Sequence, residues 1–412
     1  MKPRHELSAR EIEQLLETLS RRLGDSSVPT LPQVAVKVIQ LVSSPSSSIN
    51  DFVAVIQTDQ ALTGRLLRTA NSAYYAQRAP VTQLQRAMLL LGIDRLKALA
   101  LGFHLSHAAL SDAGDFSIKR LWTRSIFRAW TAFRLAEHFD RTLAGEAFVV
   151  GLMLDAGVPM VRSMLGDEYT AHVKPGDPPG RQFACEFKHL PFTHVDVAAA
   201  LSRLWKLPET LSRPICLHHQ APESMDVKNQ ASVLHAIAYC VGSLALHGTD
   251  TDMASSGPLA RSAGRIFNLQ PADFEKTLRD AAGDFRASRE LFLHILDDSL
   301  SLEAILASAN RELCGAVEEL VEGAMQAESQ QLPAQHQPPA KFETGSLVLE
   351  LEPAPGNKVT VFIADSTGAR LLSEDIDPRG KDRAEMRRLL LMDDAEDRLV
   401  DDVIRHMHRL AA

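Results

Sequence analysis

Residues 151–157 read Gly-Leu-Met-Leu-Asp-Ala-Gly, the outline of a metal-binding His-Asp step on a helix with leucine in the histidine position. Aspartate is a hard oxygen ligand and histidine a borderline nitrogen ligand, so adjacent His-Asp side chains grip one divalent ion from two sides. Leu154 offers a metal nothing, which leaves Asp155 as the question. Downstream the chain carries His194 and Asp196 in PFTHVDVAAALSRLW and the pair His218-His219 in SRPICLHHQAP. Three neutral imidazoles and one carboxylate suffice for a zinc, iron or manganese shell if the fold brings them together. Spacing alone does not do so. The competing structural account makes His194 a helix-start residue and lets His218 and His219 satisfy the last carbonyls of a helix before Gln220-Ala221-Pro222.

Other reactive constellations are absent from the sequence. No Gly-x-Ser-x-Gly elbow and no glycine-rich loop ahead of a lysine occurs, which removes nucleophilic-serine and P-loop chemistry. Trp122, Trp130 and Trp205 fall on apolar helical faces and read as core. Asp59 reads as a helix N-cap, and Asn71-Ser72 as the end of the helix that follows it.

The elements that must position these residues are helical. Ser8 and Glu11 form a capping box ahead of Ile12, Leu15, Leu16, Leu19 and Leu23, an amphipathic helix within residues 1–24. Short apolar-striped segments broken by Pro, Asn or Gly then repeat through VAVKVIQLV, DFVAVIQTDQ, LTGRLLRTANSAYY and LQRAMLLLGIDRLKALALGFHL. No strand is needed up to residue 325, so residues 25–325 are expected to form an all-α domain. Residues 326–341, QAESQQLPAQHQPPAK, are rich in Gln and Pro and read as a linker. Residues 342–412 change character. SLVLELEP and VTVFIADS flank Pro-Ala-Pro-Gly-Asn as a hairpin pair, and a terminal helix runs from near Asp382 through EMRRLLLM and DRLVDDVIRHMHRL. The expected fold class is mainly α, with a small α+β C-terminal module.

Composition bounds the environment. A 412-residue chain with 45% hydrophobic and 23% charged residues is ordinary globular material. The charged start MKPRHELSAREIEQLL lacks a signal-peptide core, and no later stretch reads as a membrane span free of charge. Cys185, Cys216, Cys240 and Cys314 lie far apart without CxxC spacing, as thiols of a reducing compartment do, so a cytoplasmic protein without membrane insertion is expected. A formal charge of −8 and the lack of a basic cluster with interleaved aromatics argue against nucleic acid as a partner.

Leu31-Pro32 entering VAVKVIQLV, Asp59-Gln60-Ala61-Leu62-Thr63 running into LLRTANSAYY, then AMLLLGIDRLKAL, LWTRS, AFVVGLMLDAG, THVDVAAALSRLWKLP and ICLHHQAP together resemble the HDOD family of bacterial signalling domains. That family is related to the HD metal phosphohydrolases, and the similarity runs in order over about residues 20–245, leaving 246–325 as a helical extension. The resemblance implies an all-helical regulatory or output module in signal transduction. It also implies that Arg124 takes the place of a first metal-ligand histidine and Leu154 that of a second, and that Asp155 is the retained aspartate. The distal aspartate expected near Ala238-Tyr239-Cys240 is missing, with Tyr239 as its match. His194, His218 and His219 match further histidines of the cyclic-dinucleotide phosphodiesterase branch.

Losing two metal-ligand histidines while gaining a permanent cation is severe, since even a supporting change around a ligand costs about 10- to 100-fold. The expectation is therefore a non-catalytic module with no cofactor, no catalytic residue and no bound metal, acting on signalling proteins. Arg124 would replace the metal's charge by pairing with Asp155. If an ion were held, Asp155, His194, His218 and His219 would hold it. Two alternatives accompany this expectation: residual metal-dependent phosphodiesterase activity on cyclic dinucleotides or nucleoside phosphates, and a nucleotide sensor in which Arg124 grips a phosphate without hydrolysis.

Overall fold

The computed structural model describes residues 8–23, 37–38, 41, 47–71, 75, 81–92, 95, 118–174, 177–222, 225–244, 267, 271–292, 340–345, 347–354, 357–365, 368, 370–392 and 396–411. The Leu31-Pro32 entry, most of the 34–42 segment, residues 96–117, Cys314 and residues 326–339 of the expected linker lie outside the described residues. Among the described residues before 340, regular structure is helical.

The leading helix α1 (Ala9–Leu23) starts on the Ser8–Glu11 box, with Ser8 N donating to Glu11 Oε2 at 2.7 Å. Helices α2 (Ile49–Ile56), α3 (Gln60–Ala70) and α4 (Leu84–Leu91) follow. Asp59 caps α3 by accepting from Leu62 N at 2.9 Å. Asn71 ends α3 and holds the chain in both directions at Val81, donating to its carbonyl at 2.8 Å and accepting from its N–H at 2.7 Å.

The centre of the domain is α5 (Ile118–Phe139) packed along α6 (Ala144–Met153). Gly151 lets the two backbones touch: a Cβ there would lie 2.9 Å from Ala129 Cα and 3.0 Å from the Arg128 carbonyl. Around this pair stand α7 (Val158–Leu165), α8 (Asp167–His172), α9 (Pro179–His189), α10 (His194–Leu204), α11 (Glu209–Leu217), α12 (Gln230–Gly242) and α13 (Pro271–Phe292). The last closes over α5, where Trp130 Nε1 donates to Ser288 Oγ at 2.9 Å and Arg134 Nε to Asp284 at 2.5 Å. Trp122, Trp130 and Trp205 are all buried, as their apolar faces require. Among the described residues one stretch, Arg141–Leu165, is long and apolar enough to cross a membrane, and it is mostly buried inside the protein as α6 and α7. Its apolarity is that of a core helix pair.

The C-terminal module is a four-stranded antiparallel meander, β1 (Ala340–Thr344), β2 (Leu347–Ala354), β3 (Lys358–Asp365) and β4 (Arg370–Ile376), with helices α14 (Arg383–Leu389) and α15 (Asp397–Leu410). The expected hairpin is present in register, Leu351 opposite Val361, and its turn holds Asn357 at a φ of 59°. Three boundaries differ from the sequence expectation. The sheet begins at Ala340, inside the segment read as linker. It also gains β1 and β4, edge strands whose charged residues disguised them as loop. The expected single terminal helix is two helices. Leu390, Leu391 and Met392 are all buried, which no one face of a helix allows, so the chain leaves the helix with Leu391 at a φ of 53°. That turn returns α15 to the sheet, which it meets with Val400, Val403 and Met407.

Gly157 fixes the approach of α10 to the turn before α7, because a Cβ there would lie 2.1 Å from the His194 carbonyl oxygen. Backbone cannot yield as a side chain does, so Gly157→Ala is expected to lose about 3 kcal/mol, at the upper end for overpacking. Gly64→Ala, where nothing lies within 4 Å and the residue is inside α3, is expected to gain up to about 1 kcal/mol. Urea unfolding of both variants checks the contrast.

Candidate functional site

Asp155 sits in the turn between α6 and α7, its carbonyl accepting from Val158 N at 3.0 Å. Its carboxylate is buried and points at α5. There Arg124 NH2 reaches Oδ2 at 2.7 Å and Arg128 NH1 reaches the same oxygen at 2.6 Å. Arg128, with no exposed surface, also donates from NH2 to the carbonyls of Gly242 at 2.8 Å and Leu244 at 2.7 Å, at the end of α12. One guanidinium therefore joins α5, the α6–α7 turn and the C-terminus of α12. Burial by itself would raise the Asp155 carboxyl, but the guanidinium of Arg128, then that of Arg124, hold it well below the usual carboxylate range. Leu154 is fully buried beside Gly242, whose absent Cβ would be 3.4 Å from Leu154 Cδ1 and 2.9 Å from His218 Cδ2.

The three histidines converge on the other side of Asp155. His194 opens α10 behind the N-cap Thr193, and Asp196 closes the capping box by accepting from Thr193 N at 2.7 Å. Asp196 therefore serves the cap. Both the backbone N and Nδ1 of His194 meet Glu186 Oε2, at 2.7 and 2.6 Å, and its Nε2 faces Asp155 Oδ1 at 4.0 Å. Glu186 in turn accepts from Tyr169 Oη and Gln182 Nε2 at Oε1, both at 3.2 Å. His218 caps α11 locally, its Nδ1 donating to the Ile215 carbonyl at 2.7 Å, which leaves a buried Nε2 turned inward without a hydrogen-bond partner. His219 stacks on Phe183 at 4.3 Å between ring centres and brings its Nε2 to 3.2 Å from His194 Nε2. One nitrogen of each imidazole lies within 4.8 Å of the other two.

The three histidines come together, and two of them also do local structural work. His194 starts a helix and also enters the cluster. His218 satisfies one carbonyl of α11, but His219 does not cap. That work falls to His235 of α12, whose Nε2 lies 2.9 Å from the Gln220 carbonyl and 3.2 Å from that of Leu217. Tyr239 lies half-buried on α12, a helix without a carboxylate, so no acid from it completes the set. Sequence reasoning missed Arg128, Glu186, Tyr169 and Gln182. Arg128 had a signal, since it stands one helical turn after Arg124 and must share its face. Glu186 had none, because its partner comes from a different helix.

As a hydrolytic metal centre these residues do not fit. Such a centre needs an ion to acidify water and polarise phosphorus, but Asp155 has Oδ2 taken by two guanidinium groups and Glu186 is held by His194, Tyr169 and Gln182. Each guanidinium about 4 Å from a divalent ion repels it by about 8 kcal/mol at an effective dielectric constant of about 20. What remains is a nitrogen set. The 3.2 Å between His194 and His219 Nε2 is close to the tetrahedral edge of about 3.3 Å implied by zinc–nitrogen bonds of about 2.0–2.1 Å. His194 and His218 also have their other ring nitrogens fixed, by Glu186 and by the Ile215 carbonyl.

The site also sets a pH dependence. Burial, then His194, pushes His218 down to about 3, and burial with the neighbouring imidazoles takes His219 well below its ordinary value. For His194 burial also opposes the charge, but Glu186, followed by Asp155, outweighs it and raises the ring. Between pH 6 and 4 the unfolded chain therefore binds more protons at His218 and His219 than the folded one, so stability falls on acidification. The slope is up to about 1.4 kcal/mol per pH unit for each group. His194, protonated in both states there, adds no slope; its contribution is lost only as pH rises through its raised folded value. Urea unfolding at pH 4, 5 and 6 is expected to show this fall, with a smaller slope in His218→Gln.

The Arg128 pair gives a second expectation. Arg128→Met removes one of the two counter-charges of a buried carboxylate together with the donor to two carbonyls and is expected to cost about 3–5 kcal/mol, while Arg128→Met with Asp155→Leu recovers only part of it, because the Gly242 and Leu244 carbonyls still lack that donor. Arg124, at 14% exposure, reaches solvent once unpaired. Denaturant midpoints of the single and double variants check it.

Comparison with known proteins adds the following. The family model described as the HDOD domain matches residues 28–221. An uncharacterised protein of Treponema pallidum (strain Nichols) is 24% identical over 216 residues, 51% of this chain and 41% of the relative. The chain thus spans less than half the length of that curated relative. Among solved structures, a Shewanella amazonensis SB2B protein provisionally named a phosphohydrolase matches with a TM-score of 0.50 at 18% identity, over 66% of this chain and 98% of that one. A Marinobacter aquaeolei VT8 protein provisionally named a signal transduction protein matches with a TM-score of 0.50 at 21% identity, over 68% of this chain and 65% of that one. Similarity at these identities concerns the fold.

Proposed function

The chain belongs to the HDOD family through residues 28–221, and on that premise we propose that it is a non-catalytic regulatory module of bacterial signal transduction, acting on protein partners through a metal site converted into an ion-pair lock. The observation that carries the reading is the pairing of Asp155 with both Arg124 and Arg128. A carboxylate held by two permanent cations keeps its structural work and loses its ligand work. The same lock speaks against the nucleotide-sensor alternative, since the NH2 group of Arg124 that would grip a phosphate is already bonded to Asp155. The Marinobacter protein's provisional name points the same way and the Shewanella protein's the other, so the names do not decide between them.

A second reading rests on the inward Nε2 of His218 and the near-tetrahedral spacing of His194 and His219. In it the three imidazoles hold one nitrogen-favouring ion such as zinc for structure, without hydrolysis. One experiment separates these possibilities. The purified full chain, before and after incubation with Zn²⁺, Mn²⁺ or Fe²⁺, is assayed for metal content and for turnover of cyclic dinucleotides and nucleoside phosphates. The expected result is substoichiometric metal and no turnover above that of Asp155→Asn. Stoichiometric zinc without turnover favours the second reading. Turnover abolished by Asp155→Asn or His218→Gln overturns both.

A further inference from the structure

Helix α9 has two working faces. At about 100° per residue, Gln182, Phe183 and Glu186 form one stripe and Arg181, Cys185 and Lys188 another. The first stripe belongs to the pocket: Glu186 holds His194 and Phe183 stacks on His219. The second is covered by the C-terminal module. Arg181 forks onto Glu374 of β4, with Nε at 3.2 Å from Oε1 and NH2 on Oε2. The same guanidinium donates to the carbonyls of Arg388 at 2.9 Å and Leu389 at 3.2 Å, and Lys188 donates to that of Leu391. These carbonyls lie at the C-terminal end of α14, where backbone acceptors lack helical partners and the dipole favours cations. Arg388 returns the contact to Asp177 at 2.7 Å, just ahead of α9. Gly180 lets β4 close in, since a Cβ there would be 2.8 Å from Leu372 Cδ1.

The module's helix end is thus capped by the HDOD domain, through a helix whose next face is the pocket wall. We propose that the outer stripe of α9 is the output surface of the pocket and the C-terminal module its docked occupant. A change in the pocket then alters how firmly the module is held. The inference rests on the regulatory reading above and adds to it the element through which the signal leaves. A side chain pulling on Glu186 moves the backbone that carries Arg181 and Lys188, because an 11-residue helix buried along most of its length shifts as a body. Coupling of this kind is reciprocal, so releasing the module must also disturb the pocket.

Cys185 supplies the readout. It lies on the outer stripe between Arg181 and Lys188, is buried, and has its thiol pushed up to about 11 by that burial. Cys240, buried in α12, reports loosening of the whole chain. Alkylation of each cysteine is followed by mass spectrometry in the full-length chain and in Glu374→Gln, His194→Gln and the double variant. Glu374→Gln is expected to speed Cys185 over Cys240 by about tenfold, within the range of ordinary allosteric couplings. His194→Gln, which substitutes a pocket residue, is expected to do the same, and the double variant to fall short of the product of the two. An unchanged Cys185 rate in His194→Gln, or effects that simply multiply, overturns the proposal.

If His194→Gln speeds both thiols alike, the reciprocal arm decides. Glu374→Gln is expected to shift the imidazole ¹H–¹⁵N signals of His194 and His219 at fixed pH, and unshifted signals overturn the coupling. Hydrolase assays on the same samples keep the two readings apart. Turnover sinks the regulatory reading whatever the thiols do, and uncoupled thiols without turnover sink the output surface alone.

Discussion

A guanidinium with no access to water must find its solvation inside the protein, and the two terminal nitrogens of Arg128 find it in three places at once. Its partners include the Asp155 carboxylate and the Gly242 and Leu244 carbonyls. Leaving any of them unmade would cost several kcal/mol, so the positions of α5, the α6–α7 turn and the end of α12 are mutually constrained. The glycines follow from that constraint. Gly151 brings α6 against the backbone of α5 at Arg128 itself, and Gly157 brings the Asp155 turn against the start of α10. The heptapeptide bounded by those two glycines thus packs tightly around an anion whose counter-charge is protein.

The histidines are arranged around the same anion under opposite electrostatic demands. His194 lies between two carboxylates, Glu186 and Asp155, and is drawn toward its charged form. His218 and His219 face a charged neighbour in a dry site and are held neutral. A buried cluster tolerates one extra positive charge where carboxylates surround it and not three. The three imidazoles hold one nitrogen each within 4.8 Å of the others, while one oxygen of the Asp155 carboxylate is engaged by both arginines and the other faces His194.

The helix α9 connects this pocket to a part of the chain that sequence reading treated as separate. The C-terminal module ends α14 on carbonyls that Arg181 and Lys188 satisfy. That contact also accounts for the stop in the apolar run EMRRLLLM. The helix ends where its last carbonyls can be capped from outside, and the chain turns at Leu391 so that Leu390, Leu391 and Met392 are buried together. Edge strands β1 and β4 escaped notice because charged and polar residues interrupt their short apolar pattern, and one of them, Glu374, is buried only because Arg181 of α9 meets it.

Local patterning by itself determined the helical class, the caps at Ser8 and Asp59, the central hairpin and the burial of the tryptophans, because those features are set by residues within a few positions of one another. Family resemblance added the pairing of Arg124 with Asp155. What only the tertiary structure decided is everything that depends on side chains meeting from distant segments. Arg128 proved to be the main counter-charge, and Glu186 the partner of His194. His235 took the capping role expected of His219, and α9 bound the module. Periodicity reports which face of an element is apolar, and it carries no information about which polar group another helix will place opposite that face.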